Sequence, residues 1–146
     1  MHQELQKANA WRRIFIGAAI EVHRLKGPGL LEPIYRKCVR RECELRNIPT
    51  RYELIVPIEY KGFVFEEPLR LDILVDDCLI VELKAVTKVL PIYKAPLLSY
   101  MKLLNKPLGL LINFHETVLK NGIHRLILEE MRHVVASDCQ SAPRKH

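Results

Sequence analysis

Apolar and polar positions change their rhythm twice along the chain. Over residues 9–25, Trp11, Phe15, Ala18, Val22 and Leu25 recur at steps of four and three, which predicts a helix with one buried face. Gly27-Pro28-Gly29 ends it. A second helix is predicted over residues 31–46, with Leu31, Ile34, Cys38 and Leu45 turned toward the core. Pro33 fits only in its first turn, where a missing N–H is harmless. Asn47-Ile48-Pro49 closes it.

The period then shortens. Residues 52–59 and 63–65 read as strands around Lys61-Gly62. Residues 69–75 and 79–83 form a more apolar pair around the acidic turn Asp76-Asp77-Cys78. A third helix is predicted over residues 91–104. Its regular part begins near Pro96, because the residue before a proline avoids the α region. Residues 108–114 form a continuous apolar run and read as a buried strand. Residues 123–128 fit either a last strand or the start of a short helix. From about Arg132 to His146 the chain reads as a mobile tail. This order predicts an α+β domain over residues 1–131, a mixed central sheet flanked by helices, with a tail over 132–146. The passage from Val81 through the third helix to Ile112 should be a parallel, right-handed crossover.

Composition narrows the class. The chain has 146 residues, 49% hydrophobic and 27% charged, as in an ordinary soluble globular domain with its own core. No apolar run approaches the roughly 18 residues that span a membrane. Residues 2–7 lack the shape of a signal peptide, so a cytoplasmic location is expected. Cys38, Cys43, Cys78 and Cys139 form no C-x-x-C pair, and no histidine stands at zinc-finger spacing from them. They are expected to be reduced thiols, Cys38 and Cys78 as small core residues. The net charge of +6 favours anionic partners without identifying nucleic acid.

The chemistry concentrates in the apolar pair. Asp72, Glu82 and Lys84 are charges on strands that should be buried, where charges are normally paired or bound to a metal. Glu82 and Lys84 share a strand face. A three-residue loop centred on Asp77 sets Asp72 opposite Glu82, with Cβ atoms roughly 5 Å apart. Two carboxylates so close repel unless a cation lies between them, and Mg²⁺ or Mn²⁺ suits such oxygen ligands. A two-residue loop would pair Asp72 with Val81 instead. The simpler alternative is an Asp–Lys or Glu–Lys salt bridge on a partly exposed sheet.

Gly29-Leu30-Leu31-Glu32-Pro33-Ile34-Tyr35 matches a G-x-x-E-x-x-Y signature. Around it stand Ile20-Glu21-Val22-His23, Gly27-Pro28-Gly29, Asp72, Val81-Glu82-Leu83-Lys84-Ala85, Leu97-Leu98-Ser99-Tyr100 and residues 108–114. Over residues 12–128 the ordered set resembles the GxxExxY family, which resembles the PD-(D/E)XK nuclease superfamily. The resemblance implies a restriction-endonuclease-like core of helix, three antiparallel strands, helix and strand. It implies catalytic residues Glu32, Asp72, Glu82 and Lys84. Asp72 and Glu82 would hold Mg²⁺ or Mn²⁺, Glu32 would complete the metal shell or take a proton from water, and Lys84 would orient the water or stabilise developing charge. Tyr35 is expected to be a core ring with a bonded hydroxyl, and His23 to be structural. The chain departs from the family pattern at Pro96 and Tyr93, where glutamine and histidine are usual. Pro96 can offer the site no polar group.

Arg36, Lys37, Arg40 and Arg41 recur four apart on the second helix and could track phosphates, or form a solvated face with Glu42 and Glu44. Three functions fit these residues. One is a metal-dependent nuclease acting on DNA ahead of RNA. Another is an inactive nucleic-acid-binding or assembly protein on a nuclease-like fold. The third is a structural module whose charges only make salt bridges. Exposed parts of the first helix could support a homodimer.

Overall fold

Residues 2–128 are described by the structure, a computed structural model. The expected tail over 132–146, with Cys139, lies outside the described residues. In chain order come α1 (His2–Lys26), α2 (Glu32–Leu45), β1 (Thr50–Arg51), β2 (Leu54–Tyr60), β3 (Phe63–Leu69), β4 (Ile73–Val75) and β5 (Leu79–Lys84). A 3-10 turn (Pro91–Tyr93) leads into α3 (Lys94–Leu104), then β6 (Leu108–Asn113) and β7 (Ile123–Ile127). Strands β1-β4-β5-β6-β7 form a five-stranded sheet, and β2-β3 form a separate hairpin. The β5–β6 pair is parallel and spans α3, while the other neighbours in the large sheet are antiparallel. The fold is α+β with a mixed central sheet, as the element order predicts.

Side-chain alternation along the strands makes two cores. Ile73, Val75, Leu79, Val81 and Leu83 pack with Phe15, Ala18 and Val22 of α1 and Tyr35 and Val39 of α2. Leu74, Ile80 and Leu111 pack with Leu97 and Met101 of α3. Helices therefore cover both sheet faces, which is why β4, β5 and β6 are apolar at nearly every position. Gly109 lets α3 come close. A Cβ there would lie 2.6 Å from Met101 Sδ.

Several boundaries and faces differ from the sequence expectation. Helix α1 begins at His2, so its buried stripe starts at Ala8, and Leu25 is exposed. On α2 the buried residues are Tyr35, Val39 and Cys43; Leu31, Ile34 and Leu45 are exposed and Cys38 is half-buried. The stripe that wins is the one led by an aromatic ring whose hydroxyl is satisfied by the loop ahead of the helix. The segment 69–75 is not one strand. Leu69 ends the hairpin opposite Leu54, the chain bends through 70–72, and β4 starts at Ile73 in the other sheet. Helix α3 starts at Lys94, before Pro96. The proline occupies the first turn, whose N–H groups have no intrahelical acceptor. Residues 123–127 form a strand, β7, paired with β6.

Cys43 and Cys78 are buried free thiols, and burial pushes the Cys43 thiol up to about 11. No described helix is long and apolar enough to cross a membrane.

Candidate active site

The turn between β4 and β5 decides the site. Ile73 faces Val81, Leu74 faces Ile80 and Val75 faces Leu79, leaving the three residues Asp76-Asp77-Cys78 as the loop. Asp76 and Asp77 both take left-handed φ, 44° and 57°, which aspartate tolerates better than most residues. Continued by one residue, the ladder sets Asp72 opposite Glu82. The two-residue alternative, with Asp72 against Val81, does not occur. Asp76 also anchors the turn to α1, accepting from Trp11 Nε1 at 2.7 Å and pairing with Lys7 at 3.2 Å.

Asp72 lies on the bend before β4 and Glu82 lies inside β5, each only 9% exposed. Leu83 N–H donates to Asp72 Oδ2 at 2.7 Å, and Asp72 N–H donates to Glu82 Oε1 at 3.3 Å. Burial first, and the Asp72 charge second, push the Glu82 carboxyl up to about 7. The N–H from Asp72 and the charge of Lys84 oppose that rise without cancelling it.

Lys84 follows Glu82 on the same strand face and is half-buried. Its Nζ stands 5.6 Å from the centre of the Tyr93 ring, a cation–π contact. Among the described residues it forms no ion pair. The Tyr100 hydroxyl, on α3, has its pKa raised by burial and then by the Glu82 and Asp72 charges. Tyr93 of the 3-10 turn thus faces Lys84, and Tyr100 of α3 feels the carboxylate charges, while Pro96 between them is exposed.

Glu32 reaches the site through Arg36. Glu32 is the first residue of α2, and its Oε1 takes Arg36 Nη2 at 2.8 Å, one helical turn on. Arg36 Nε lies 2.9 Å from Asp72 Oδ1. That N–H is buried and is not directed at an acceptor, so the contact with Asp72 is an ion pair without a well-aligned hydrogen bond. Tyr35 holds the start of α2 in place. Its hydroxyl donates to Gly27 C=O and accepts from Leu30 N–H at 3.0 Å, and its ring stacks on Phe114 at 4.5 Å. The glycine, glutamate and tyrosine of the motif are therefore a loop, an acid and the clamp that sets the acid's position. His23 Nε2 bonds Glu116 C=O at 2.7 Å, a structural contact.

A groove of about 820 Å³ runs between α2 and the foot of the hairpin. It is lined by Arg36, Lys37, Arg40 and Arg70 and reaches Asp72. Arg40 lies over the Tyr52 ring at 4.3 Å. Arg41 is not among the lining residues and pairs with Glu44 at 3.5 Å. Arg70 is not marked out by the sequence, because nothing there shows that the chain bends at residue 70.

A family model of the PD-(D/E)XK nuclease superfamily matches residues 9–126. The chain belongs to the PD-(D/E)XK nuclease superfamily. Superfamily members are usually nucleases and generally use divalent metal ions. No curated protein sequence matches the chain. The chain is similar to the protein in the crystal structure of SSO0001, at 20% identity and a TM-score of 0.47, with 77% of this chain covered. It spans 60% of that protein's length.

Two carboxylates held this close are chemically suited to a divalent ion that keeps several of its waters. Asp72, on the bend before β4, and Glu82, in β5, supply two neighbouring acidic groups, and the raised pKa of Glu82 is what a nearby cation would reverse. Among the described residues no three His, Cys, Asp or Glu side chains cluster into a cage. Glu32 stands across Arg36 from Asp72 rather than forming a third wall.

Asn113 braces the other end of β5, a support that the sequence reading misses. It is fully buried, directly opposite Lys84, and its amide accepts from Val86 N–H at 3.0 Å and His115 N–H at 3.2 Å and donates to Val86 C=O at 2.8 Å. The chain leaving Lys84 is thereby fixed. A polar residue at the end of an apolar strand is the signal that could have found it.

Proposed function

We propose that the protein is a metal-dependent nuclease that hydrolyses phosphodiester bonds, with DNA as substrate ahead of RNA and Mg²⁺ or Mn²⁺ as its ion. The observation that carries this reading is the pairing of two buried carboxylates, Asp72 and Glu82, where a basic groove ends. Asp72 and Glu82 hold the ion. Once bound, it supplies a water acidic enough to become a nucleophile and a positive charge against the phosphate oxygens. Lys84, held close to Tyr93, stabilises charge that develops on the phosphate. Lys37, Arg40 and Arg70 attract the backbone through charge alone, so binding carries no sequence preference from them.

The test is cleavage of duplex DNA, single-stranded DNA and RNA with Mg²⁺ or Mn²⁺, for wild type and Glu82→Gln. Ion-dependent cleavage lost in the variant, with a melting temperature no lower than that of wild type, supports the proposal. Equal cutting by both proteins removes it. One observation favours the second reading, a nucleic-acid binder without catalysis: Pro96 leaves the facing turn of α3 without a polar group at that position. That reading expects salt-sensitive binding and no cleavage with either ion.

A further inference from the structure

We infer that Arg36 is an exchangeable counter-ion, neutralising Asp72 until a divalent cation binds and then turning to a phosphate in the groove, and that Glu32 is the positioning residue that tethers it. The inference rests on the proposed function and names the roles of two residues within it.

Four observations lead to it. Arg36 touches both acids, with Nη2 2.8 Å from Glu32 and Nε 2.9 Å from Asp72. The two contacts are unequal. The Glu32 contact is a formed hydrogen bond between residues one turn apart on a single helix, whereas the Nε–H toward Asp72 has no aligned acceptor. The Arg36 side chain is 39% exposed and lines the groove with Lys37, Arg40 and Arg70. Finally, Glu32 belongs to no cluster of three metal-ligating side chains among the described residues.

The electrostatics set the direction of exchange. A divalent ion on Asp72 would lie a few ångströms from the guanidinium, and like charges at that range in a partly buried site repel strongly. The weaker contact is then given up. The Glu32 bond survives, because it follows from helix geometry and does not involve Asp72. Arg36 keeps Nη2 on Glu32 and is left with its other guanidinium N–H groups for the groove, where they can donate to a phosphate. Metal and phosphate binding are then coupled through one side chain, and the coupling is reciprocal.

The experiment combines Mn²⁺ calorimetry with binding of a short DNA duplex, measured by fluorescence anisotropy in Ca²⁺ and in EDTA. Arg36→Gln should bind Mn²⁺ about five- to tenfold more tightly than wild type, since a competing charge is gone. Its duplex affinity should fall about tenfold in Ca²⁺ and stay within about twofold in EDTA. Glu32→Gln should keep Mn²⁺ affinity within about twofold, while Asp72→Asn should lose the metal heat. Unchanged or weaker Mn²⁺ binding by Arg36→Gln overturns the inference alone. So does a Glu32→Gln loss equal to that of Asp72→Asn, which would make Glu32 a ligand. Wild type without Asp72-dependent heat overturns the proposed function and this inference together. A measurement on wild type guards against a variant that does not fold: the ¹⁵N resonance of Arg36 Nε should move when Mg²⁺ is added. A stationary resonance in a metal-binding protein also overturns the inference.

Discussion

The backbone N–H of Leu83 donates to Asp72 Oδ2 at 2.7 Å, fastening one carboxylate to the strand that carries the other. The bond makes the acid pair unequal. Asp72 has this N–H and the Arg36 guanidinium beside it, whereas the hydrogen-bond partner of Glu82 among the described residues is a single N–H at 3.3 Å.

That inequality predicts a pH dependence for the metal-free protein. The Glu82 carboxyl sits at about 7 in the folded state against 4.5 for an ordinary glutamate. Between those values the folded chain binds the proton and the unfolded chain has lost it. Stability therefore falls as pH rises from about 4.5 to about 7, by at most about 3 kcal/mol. Thermal melts should show the decline, Glu82→Gln should flatten it, and saturating Mn²⁺ should raise the melting temperature most at the alkaline end. A wild-type profile that rises across this window would mean that burial does not hold a proton on Glu82.

Lys84→Met separates charge from packing. Methionine keeps a flexible apolar stem beside Tyr93 and removes the ammonium. Cleavage should fall by about two orders of magnitude or more, as when one group stabilising transition-state charge is lost. The melting temperature should move by only a few degrees. Single-turnover rates with Mn²⁺ and a chemical melt are sufficient to check both.

Tyr35→Phe should act at a distance. It keeps the stacked ring on Phe114 but strips the hydroxyl from Gly27 C=O and Leu30 N–H. The cost should be about 1–2 kcal/mol, a fall of several degrees in melting temperature. Because the tethered loop launches α2, the metal-free contact of Arg36 with Asp72 should loosen too. Crystallography or arginine side-chain NMR of the variant would detect this.

Asn113→Leu keeps volume and deletes three hydrogen bonds in a fully buried position. Leaving Val86 and His115 groups unpaired should cost about 3 kcal/mol. Hydrogen exchange at Val86 should accelerate. A variant as stable as wild type would show that water replaces the amide.

The fold and the acid pair are largely legible in the sequence, for a physical reason. Strand alternation and an acidic three-residue turn are local rules, so the pairing of Asp72 with Glu82 needs no knowledge of distant residues. The helix boundaries are less legible. The face of α2 is misread because Leu31, Ile34 and Leu45 are the more apolar side chains, while Tyr35 wins burial by satisfying its hydroxyl within the preceding loop. The break after Leu69 is hidden because the apolar residues run on through it from one sheet into another. The pairing of Arg36 with Asp72 cannot be read at all. It joins the second turn of α2 to the bend just before β4, an approach that only tertiary packing creates.

The turn at Asp76-Asp77-Cys78 acts as a ruler. It holds the two acids ten positions apart and lets them meet. Asp77 can be exchanged for another residue that accepts left-handed φ, but the number of residues in the turn cannot change. Gaining or losing a single codon there would rotate one acid to the opposite side of the sheet. The gene would still encode both acids and the lysine, and the product would no longer bring the acids together.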